Sequence, residues 1–198
     1  MHLDPDVIND LTDTITVDRW LRVMPARHMR TPLGRGFGLS RWSSPKNSFK
    51  VIYLGQEIET SIAETIVRDR FEAVSASDRE LKLSEIMIWG IAEIQSKAPL
   101  RVLDLTGSGA FRLGVDTDAV GAKHHKAGQD FSEILHDEFA RIDGIMYPSR
   151  LTRGRCIAVY DRSIDRCLGA GHAIGLERVP DLAKILNGLS VALIDDLP

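Results

Sequence analysis

Cysteine is scarce in this sequence: its 198 residues include only two, Cys156 and Cys167. Two cysteines form neither a disulfide framework nor a zinc knuckle, so the fold is expected to depend on buried apolar side chains. Cys156 lies inside an apolar run and is predicted to be a core residue. This cysteine usage is typical of a reducing compartment, and we therefore predict a cytoplasmic protein.

Long apolar runs and an excess of positive charge are missing as well. No stretch approaches the roughly 20 apolar residues of a membrane-spanning helix. The acidic N-terminal segment MHLDPDVINDL lacks the basic and then apolar layout of a secretory signal. The formal net charge is −3, which gives no electrostatic footprint for nucleic acid or an anionic membrane. We expect neither a direct nucleic-acid partner nor a membrane partner.

Metal-ligand spacing and a nucleotide P-loop are not found either. His124, His125 and His136 match no metal-site spacing, so a hydrated loop pair and a histidine on a helix surface are expected, with no bound metal. The glycine-rich stretch 34–38 is not followed by Gly-Lys-Ser/Thr, which excludes a P-loop.

An ordinary globular composition and an irregular order of strands and helices predict the fold class. The chain is 43% apolar and 27% charged. We predict one domain over residues 1–198, of the α+β class, with a mixed β-sheet core and flanking helices. Strands are predicted at 20–24, 50–54, 86–94, 100–105, 144–147 and 156–160, with a hairpin-like link at 95–99. Helices are predicted at 3–16 (one or two short ones), 57–71, 129–142 and 180–189; the first and last are additions to a core of about 20–162.

One unit, residues 35–69, combines a glycine-rich loop, an arginine, a strand and a helix. Arg41, Tyr53 and Glu64 lie on its successive parts. Glu64 follows Ala63 by about 100° of helix rotation, which sets its carboxylate at the margin of an apolar stripe. A guanidinium, an aromatic ring and a carboxylate suit a substrate with phosphates, a flat ring and a bond that breaks toward a cation, and NAD is such a substrate. The alternative is a solvated pair of Glu64 with Arg68 at i+4.

Six short segments in order resemble the RES domain, which is found in toxins of bacterial toxin–antitoxin pairs. They are Leu21-Arg22-Val23, Gly38-Leu39-Ser40-Arg41-Trp42, Tyr53-Leu54, Glu59-Thr60-Ser61-Ile62-Ala63-Glu64, Asp143-Gly144-Ile145-Met146-Tyr147-Pro148-Ser149-Arg150 and Cys156-Ile157-Ala158-Val159-Tyr160. Two features depart from the family pattern. Leu39 and Ser40 split the usual turn before Arg41, and the glycine-containing segment 106–128 is long.

The resemblance implies an ADP-ribosyltransferase-like fold and an enzyme that consumes NAD. RES proteins break the nicotinamide–ribose bond, and they pass ADP-ribose to water, to phosphate or to a target protein. The sequence leaves the acceptor open. The resemblance also implies a cognate antitoxin that covers the active site.

The same resemblance assigns roles to particular residues. Glu64 would stabilise the positive charge that develops on the ribose. Arg41 and Arg22 would hold the phosphates with their planar guanidinium groups, and Tyr53 would stack on nicotinamide or bond to a ribose. The ordinary alternatives are two surface arginines and a core tyrosine.

Two further residues come from the late segment of the pattern. Ser149 follows Pro148 at a strand end, where its hydroxyl could reach a ligand amide or phosphate, and Tyr147 is a second candidate for binding NAD. A turn-forming serine is the ordinary alternative.

Two other functions compete with NAD consumption. The segment from Val102 to Gly109 resembles the glycine loop after the first strand of a methyltransferase that uses S-adenosylmethionine. A module that binds a partner without catalysis is the other alternative.

Overall fold

A mixed β-sheet organises the fold. The computed structural model describes residues 2–71, 73–115 and 125–197. In chain order the strands of this part are β1 (Thr12–Ile15), β2 (Trp20–Pro25), β3 (Val51–Gly55), β4 (Glu80–Lys82), β5 (Trp89–Ser96), β6 (Leu100–Asp104), β7 (Gly144–Pro148), β8 (Arg155–Tyr160), β9 (Leu168–Ala170), β10 (Ile174–Gly175) and β11 (Ala192–Ile194).

Short helices flank the sheet. The α-helices of the described part are α1 (Pro5–Asp10), α2 (Ile58–Ile62), α3 (Leu83–Ile86), α4 (Gly109–Arg112), α5 (Lys126–Glu138), α6 (Asp161–Cys167) and α7 (Leu182–Gly188). Single 3-10 turns occur at Ala26–His28, Ala76–Asp78 and Leu176–Arg178, and Ala63–Val67 form a π-helical turn. None of the helices in the described ranges has the length and the apolar character needed to cross a membrane.

The main sheet is mostly antiparallel. Its order is β1-β6-β7-β8-β3-β2-β5-β10, and β9 also pairs with β5. Within this sheet β6 and β7 form the parallel pair, and β11 and β4 form a small parallel sheet of their own. The prediction of an α+β fold with a mixed sheet and flanking helices is confirmed.

Alternation along β3 decides which side chains face the site. Val51 and Tyr53 belong to a cluster that includes Trp42 and residues of α5, whereas Ile52 and Leu54 pack in a second cluster on the opposite face. A third cluster joins α2, α3 and α7. The side chain of Tyr53 therefore lies on the α5 face.

Most predicted strands lie within one or two residues of their observed bounds, but the N-terminal prediction is wrong in its second half. The helix ends at Asp10, and Thr12–Ile15 form β1, which pairs with β6 from Thr12 opposite Leu103. Pairing with an exposed sheet edge outweighs the apolar helical spacing, because Thr and Ile suit a half-buried strand.

The predictions around residues 83–99 need two corrections. Ile86 ends α3 instead of starting a strand, because Glu85 accepts the Lys82 backbone N–H at 3.0 Å and so caps a helical turn. The expected hairpin-like link at 95–99 is wrong as well, since β5 and β6 are not neighbours in the sheet. Instead, the backbone N–H of Ser96 donates to Val17 O and that of Lys97 to Cys167 O, both at 2.7 Å.

Two other segments differ from expectation. Sequence patterns did not predict α6, β9 or β10, which are short; β9 and β10 both pair with β5. In the glycine-containing segment 106–128, α4 and the start of α5 are seen; residues 116–124, which include His124, lie outside the described residues.

The predicted helix over 57–71 is regular only through Ile62. The chain then widens into the π turn, in which the Arg68 N–H donates to Ala63 O at 2.8 Å. Single π turns inside helices are frequent at functional sites. Here the widened turn carries Glu64 and Arg68.

Close contact between β3 and α2 sets the position of that turn. Ser61 Oγ lies 3.1 Å from Leu21 O and 3.0 Å from Glu57 O, which ties α2 to β2. A Cβ atom on Gly55 would meet the Ser61 side chain and would lie 2.9 Å from its backbone nitrogen. Only glycine fits here without moving α2.

We therefore expect Gly55→Ala to lower the free energy of unfolding by about 1–3 kcal/mol, the usual cost of overpacking. Urea unfolding measures this change. Gly36→Ala is the matched control, because a Cβ there has nothing within 4 Å. Equal losses in the two variants would contradict the close-packing account.

Candidate active site

Glu64 is held in one orientation by donors from the loop after β7. Its Oε1 accepts the Ser149 hydroxyl at 2.7 Å and the Arg150 backbone N–H at 3.2 Å. Its Oε2 lies 3.7 Å from Nη1 of Arg68, and the Glu64 side chain is 15% exposed. The carboxylate is therefore fixed from one side and open to a cavity on the other.

The turn at Ser149 explains why its proton points at Glu64. Ser149 Oγ accepts the backbone N–H groups of Leu151 and Thr152, both at 3.2 Å. A hydroxyl that accepts two bonds has one proton left to donate, and Glu64 takes it. Thr152 also bonds to Thr60 of α2 at 2.8 Å, so the turn and the helix are fastened together.

Two adjoining cavities meet at Glu64, and we call them together the Glu64 cleft. The first, of about 250 Å³, is lined by residues that include Arg22, Tyr53, Glu64, Arg68 and Tyr147. The second, of about 370 Å³, is lined by residues that include Glu64, Arg68, Asp69, Arg70 and His125. Ser40, Glu64, Thr65 and Arg68 belong to both linings. A larger cavity of about 600 Å³ lies elsewhere, beside Arg30 and Arg178.

Two tyrosines form the floor of the first cavity. Tyr53 OH accepts the Trp42 backbone N–H at 3.1 Å, and Tyr147 packs edge-on against the Trp42 ring at 5.5 Å between centroids. Burial is the main cause that raises the pKa of both phenols above the ordinary value. Both are therefore neutral at physiological pH, and both line the first cavity.

Arg68 is the guanidinium group that faces both cavities. Its side chain is 16% exposed, and its Nη2 lies 2.6 Å from Nε2 of His125. The i,i+4 pair with Glu64 that the sequence offered as an alternative is present. In this structure the pair lines a cleft instead of lying on a solvated helix face.

Arg41 lies buried next to the cleft and is not among the residues that line either cavity. The pKa of Arg41 is lowered, and burial is the largest cause. The charges of Arg68 and Arg150 lower it further, whereas Tyr147 and Glu64 act to raise it. Arg41 therefore adds positive potential around the carboxylate.

Arg22 lines the first cavity from β2, and one nitrogen of its guanidinium group bonds to a backbone carbonyl. Nη1 donates to Pro32 O at 2.5 Å, in a connection whose Met29 and Leu33 pack on the second cluster. Burial lowers the pKa of Arg22 to about 10, so the group stays charged at neutral pH. The structure thus places Arg22 in the lining of the first cavity, with Nη1 bonded to the Pro32 carbonyl oxygen.

His136 and Cys156 pack against other aromatic and apolar side chains. His136 stacks on Phe49 at 4.2 Å between ring centroids, and Cys156 is buried, as predicted. Among the residues that the structure describes, no three His, Cys, Asp or Glu side chains are grouped so as to hold a metal ion.

Sequence reasoning missed the positions of Arg68 and His125 at the cleft. The i,i+4 spacing of Glu64 and Arg68 is visible in the sequence. The π turn that directs both side chains to one cavity is not, because the sequence pattern predicts a regular helix. His125 is separated from Arg68 by 57 positions, and no local motif marks that contact.

The protein has an α+β fold, and its cleft places the hydrogen-bonded Glu64 carboxylate among arginines and tyrosines. The RES domain profile matches residues 15–177. The chain belongs to the RES domain family, and the predicted resemblance is confirmed.

Known relatives agree with this placement. "Probable toxin y4kH" of Sinorhizobium fredii (strain NBRC 101917 / NGR234) is 30% identical over 114 residues, which are 57% of this chain and 88% of the relative. A chain in the crystal structure of the M. tuberculosis MbcT–MbcA toxin–antitoxin complex superposes with a TM-score of 0.60 at 17% identity, over 87% of this chain and 93% of that one. The second likeness supports the fold.

The ionisation of the tyrosines tests how deeply their side chains are buried. The sequence has three, and burial raises the pKa of Tyr53, Tyr147 and Tyr160 alike. The neutral phenols are favoured in the folded state, so their contribution to stability is full below about pH 10 and is lost as the pH rises beyond it. Alkaline titration by ultraviolet absorbance should show no tyrosinate until the protein unfolds. A transition near pH 10 with circular dichroism unchanged would contradict this burial.

Proposed function

We propose that this chain is the cytoplasmic toxin of a toxin–antitoxin pair and that it breaks the nicotinamide–ribose bond of NAD at the Glu64 cleft. The observation that carries the proposal is the Glu64 carboxylate, oriented by Ser149 and Arg150 N–H and open toward two tyrosines and Arg68. The family supports it, since NAD is the substrate that the RES resemblance implies.

The roles of these residues follow from the positive charge that develops on the ribose during the reaction. Loss of nicotinamide leaves positive charge on the ribose, and a nearby fixed carboxylate stabilises that charge more in the transition state than in the ground state. Ser149 is buried, with 0% exposure, so its part in this account is to orient Glu64. Tyr53 and Tyr147 supply rings and hydroxyls for the nicotinamide riboside.

The arginines supply the counter-charge for the pyrophosphate. Arg68 faces both cavities and is the best-placed guanidinium group to contact phosphate. Arg41 acts at longer range through its charge. Arg22 also lines the first cavity, and within the described part of the chain only its Nη1 is bonded, to Pro32 O, so its remaining N–H donors are available for a phosphate contact. The acceptor of ADP-ribose is water, phosphate or a protein side chain.

A cognate antitoxin is the expected protein partner. The solved relative above comes from a toxin–antitoxin complex, and a protein segment over the Glu64 cleft would block NAD. Nucleic-acid binding is left to that partner, because the net charge of this chain is −3.

The methyltransferase alternative has little structural support. Strand β6, which precedes the Gly107–Gly109 segment, has antiparallel β1 and parallel β7 as neighbours. The four-residue α4 follows it. A doubly wound parallel sheet, which that cofactor fold requires, is not formed by the described strands.

We expect Glu64→Gln to lower the NAD turnover rate by about 10²–10³, the usual loss when one stabilising group at a developing charge is removed. The amide oxygen still accepts from Ser149 and Arg150, so the fold is retained. Labelled NAD, followed by separation of free nicotinamide, phosphorylated product and labelled protein, measures turnover and identifies the acceptor. Expression of the variant should also relieve growth arrest.

Glu138→Gln, on the exposed end of α5, is the control and should keep full turnover and toxicity. An inactive wild-type protein, or equal NAD loss in the wild type and Glu64→Gln, would contradict the proposed function. Toxicity that persists in Glu64→Gln without any NAD loss would favour the non-catalytic binding module.

A further inference from the structure

We propose that His125 is a positioning residue that holds Arg68 in the Glu64 cleft, and that this support is withdrawn when the His125 ring is protonated. The inference rests on the proposed NAD-consuming function for its consequence. The contacts that carry it stand on their own.

The His125 ring joins two parts of the site. Nδ1 lies 2.8 Å from Leu39 O, and Nε2 lies 2.6 Å from Nη2 of Arg68. A carbonyl oxygen only accepts and a guanidinium only donates. Nδ1 therefore carries the proton and Nε2 is the acceptor, which is possible only for a neutral ring.

A second contact fixes the loop to which His125 is bound. Gln129, one turn further along α5, places Nε2 3.2 Å from both Leu39 O and Ser40 O. Ser40 lines both cavities of the cleft. The first turn of α5 thus fixes the loop at Leu39 and Ser40. The His125 ring, which bonds to both Leu39 O and Arg68, connects this loop to the Arg68 guanidinium.

The His125 contact of Arg68 is shorter than the contacts of Arg68 with its acidic neighbours. Glu64 lies 3.7 Å from its Nη1 and Asp69 lies 3.6 Å from its Nε, and both distances exceed a hydrogen bond. Its buried Nε has no hydrogen-bond partner among the described residues. The bond to His125 is therefore the short contact that sets the plane of the guanidinium.

Protonation of the His125 ring would turn its attractive contact with Arg68 into a repulsive one. The charged groups around the ring are the cations Arg68 and Arg41 and the anion Asp69, and the carboxylate of Glu64 and the guanidinium of Arg70 line the same cavity. A protonated ring has no acceptor for Arg68 and sets a third positive charge beside two. Burial is the largest cause that lowers the pKa of His125, and the two arginines lower it as well. The hydrogen bond to the Leu39 carbonyl and the charge of Asp69 act to raise it, but the net change is downward. The support is therefore present at neutral pH and is lost as the pH falls through that lowered pKa.

Nuclear magnetic resonance tests the geometry without NAD. The histidine signal that is lost from long-range proton–nitrogen spectra in His125→Gln should belong to a ring that is neutral at pH 7 with the proton on Nδ1. A charged His125, or a ring with its proton on Nε2, would overturn the proposal even in an active enzyme.

Kinetics test the consequence. We expect the wild type to lose kcat/KM for NAD toward the acid end of about pH 5–8, the range in which imidazoles titrate. His125→Gln keeps an acceptor for Arg68 and a donor for Leu39, so it should retain activity at pH 8 and lose less of it on acidification. His125→Phe keeps neither and should lose about tenfold or more at every pH, as expected for a lost bond to a charged group.

His172→Gln is the matched control, because His172 is exposed on the larger, separate cavity, and it should follow the wild-type profile. Thermal unfolding of each variant detects misfolding, and if His125→Phe fails to fold, the profile of His125→Gln decides. A wild-type profile in His125→Gln would overturn the proposal. An inactive wild type would instead contradict the proposed function, whatever the resonance spectra show.

Discussion

The bond from Ser149 to Glu64 is the interaction on which the rest of the site depends. At 2.7 Å it fixes one carboxylate oxygen, and the Arg150 N–H adds a second donor. An ionised carboxylate that is only 15% exposed requires such donors and nearby cations to remain in place. Here the turn after β7 supplies the donors and Arg68 supplies the nearest cation, so the other side of Glu64 is left for a ligand.

The fold is arranged to bring the parts of this interaction together. Strands β7, β8 and β3 are consecutive neighbours in the sheet, which sets Tyr147 and Tyr53 on one face and the Ser149 turn at the end of the same layer. The absence of a side chain at Gly55 lets α2 sit close to β3. The π turn at Ala63–Val67 then directs Glu64 and Arg68 to the tyrosines. Backbone geometry thus brings together the residues that the Ser149–Glu64 bond then holds in place.

Local patterns were enough to predict the framework and not the details of the site. Alternating apolar residues located β3 and β8, and the order of six short segments located Glu64, Tyr53 and Ser149 in one family pattern. The apolar spacing predicts helix at Thr12–Ile15, where the structure has a strand at the sheet edge, since the partner strand β6 is about 90 residues away and gives no local signal. The same limit applies to His125, whose contact with Arg68 exists only once α5 has packed. The bond from Arg22 Nη1 to Pro32 O is likewise a contact that no local pattern marks, and the phosphate role of Arg22 stays a prediction.

The most direct test of the central claim is a crystal structure of Glu64→Gln with NAD bound. The account predicts the nicotinamide ribose within hydrogen-bonding distance of residue 64, with the nicotinamide ring against Tyr53 or Tyr147 and a phosphate at Arg68. NAD seated in the separate cavity beside Arg30 and Arg178, or a Glu64 cleft left empty at saturating NAD, would contradict it.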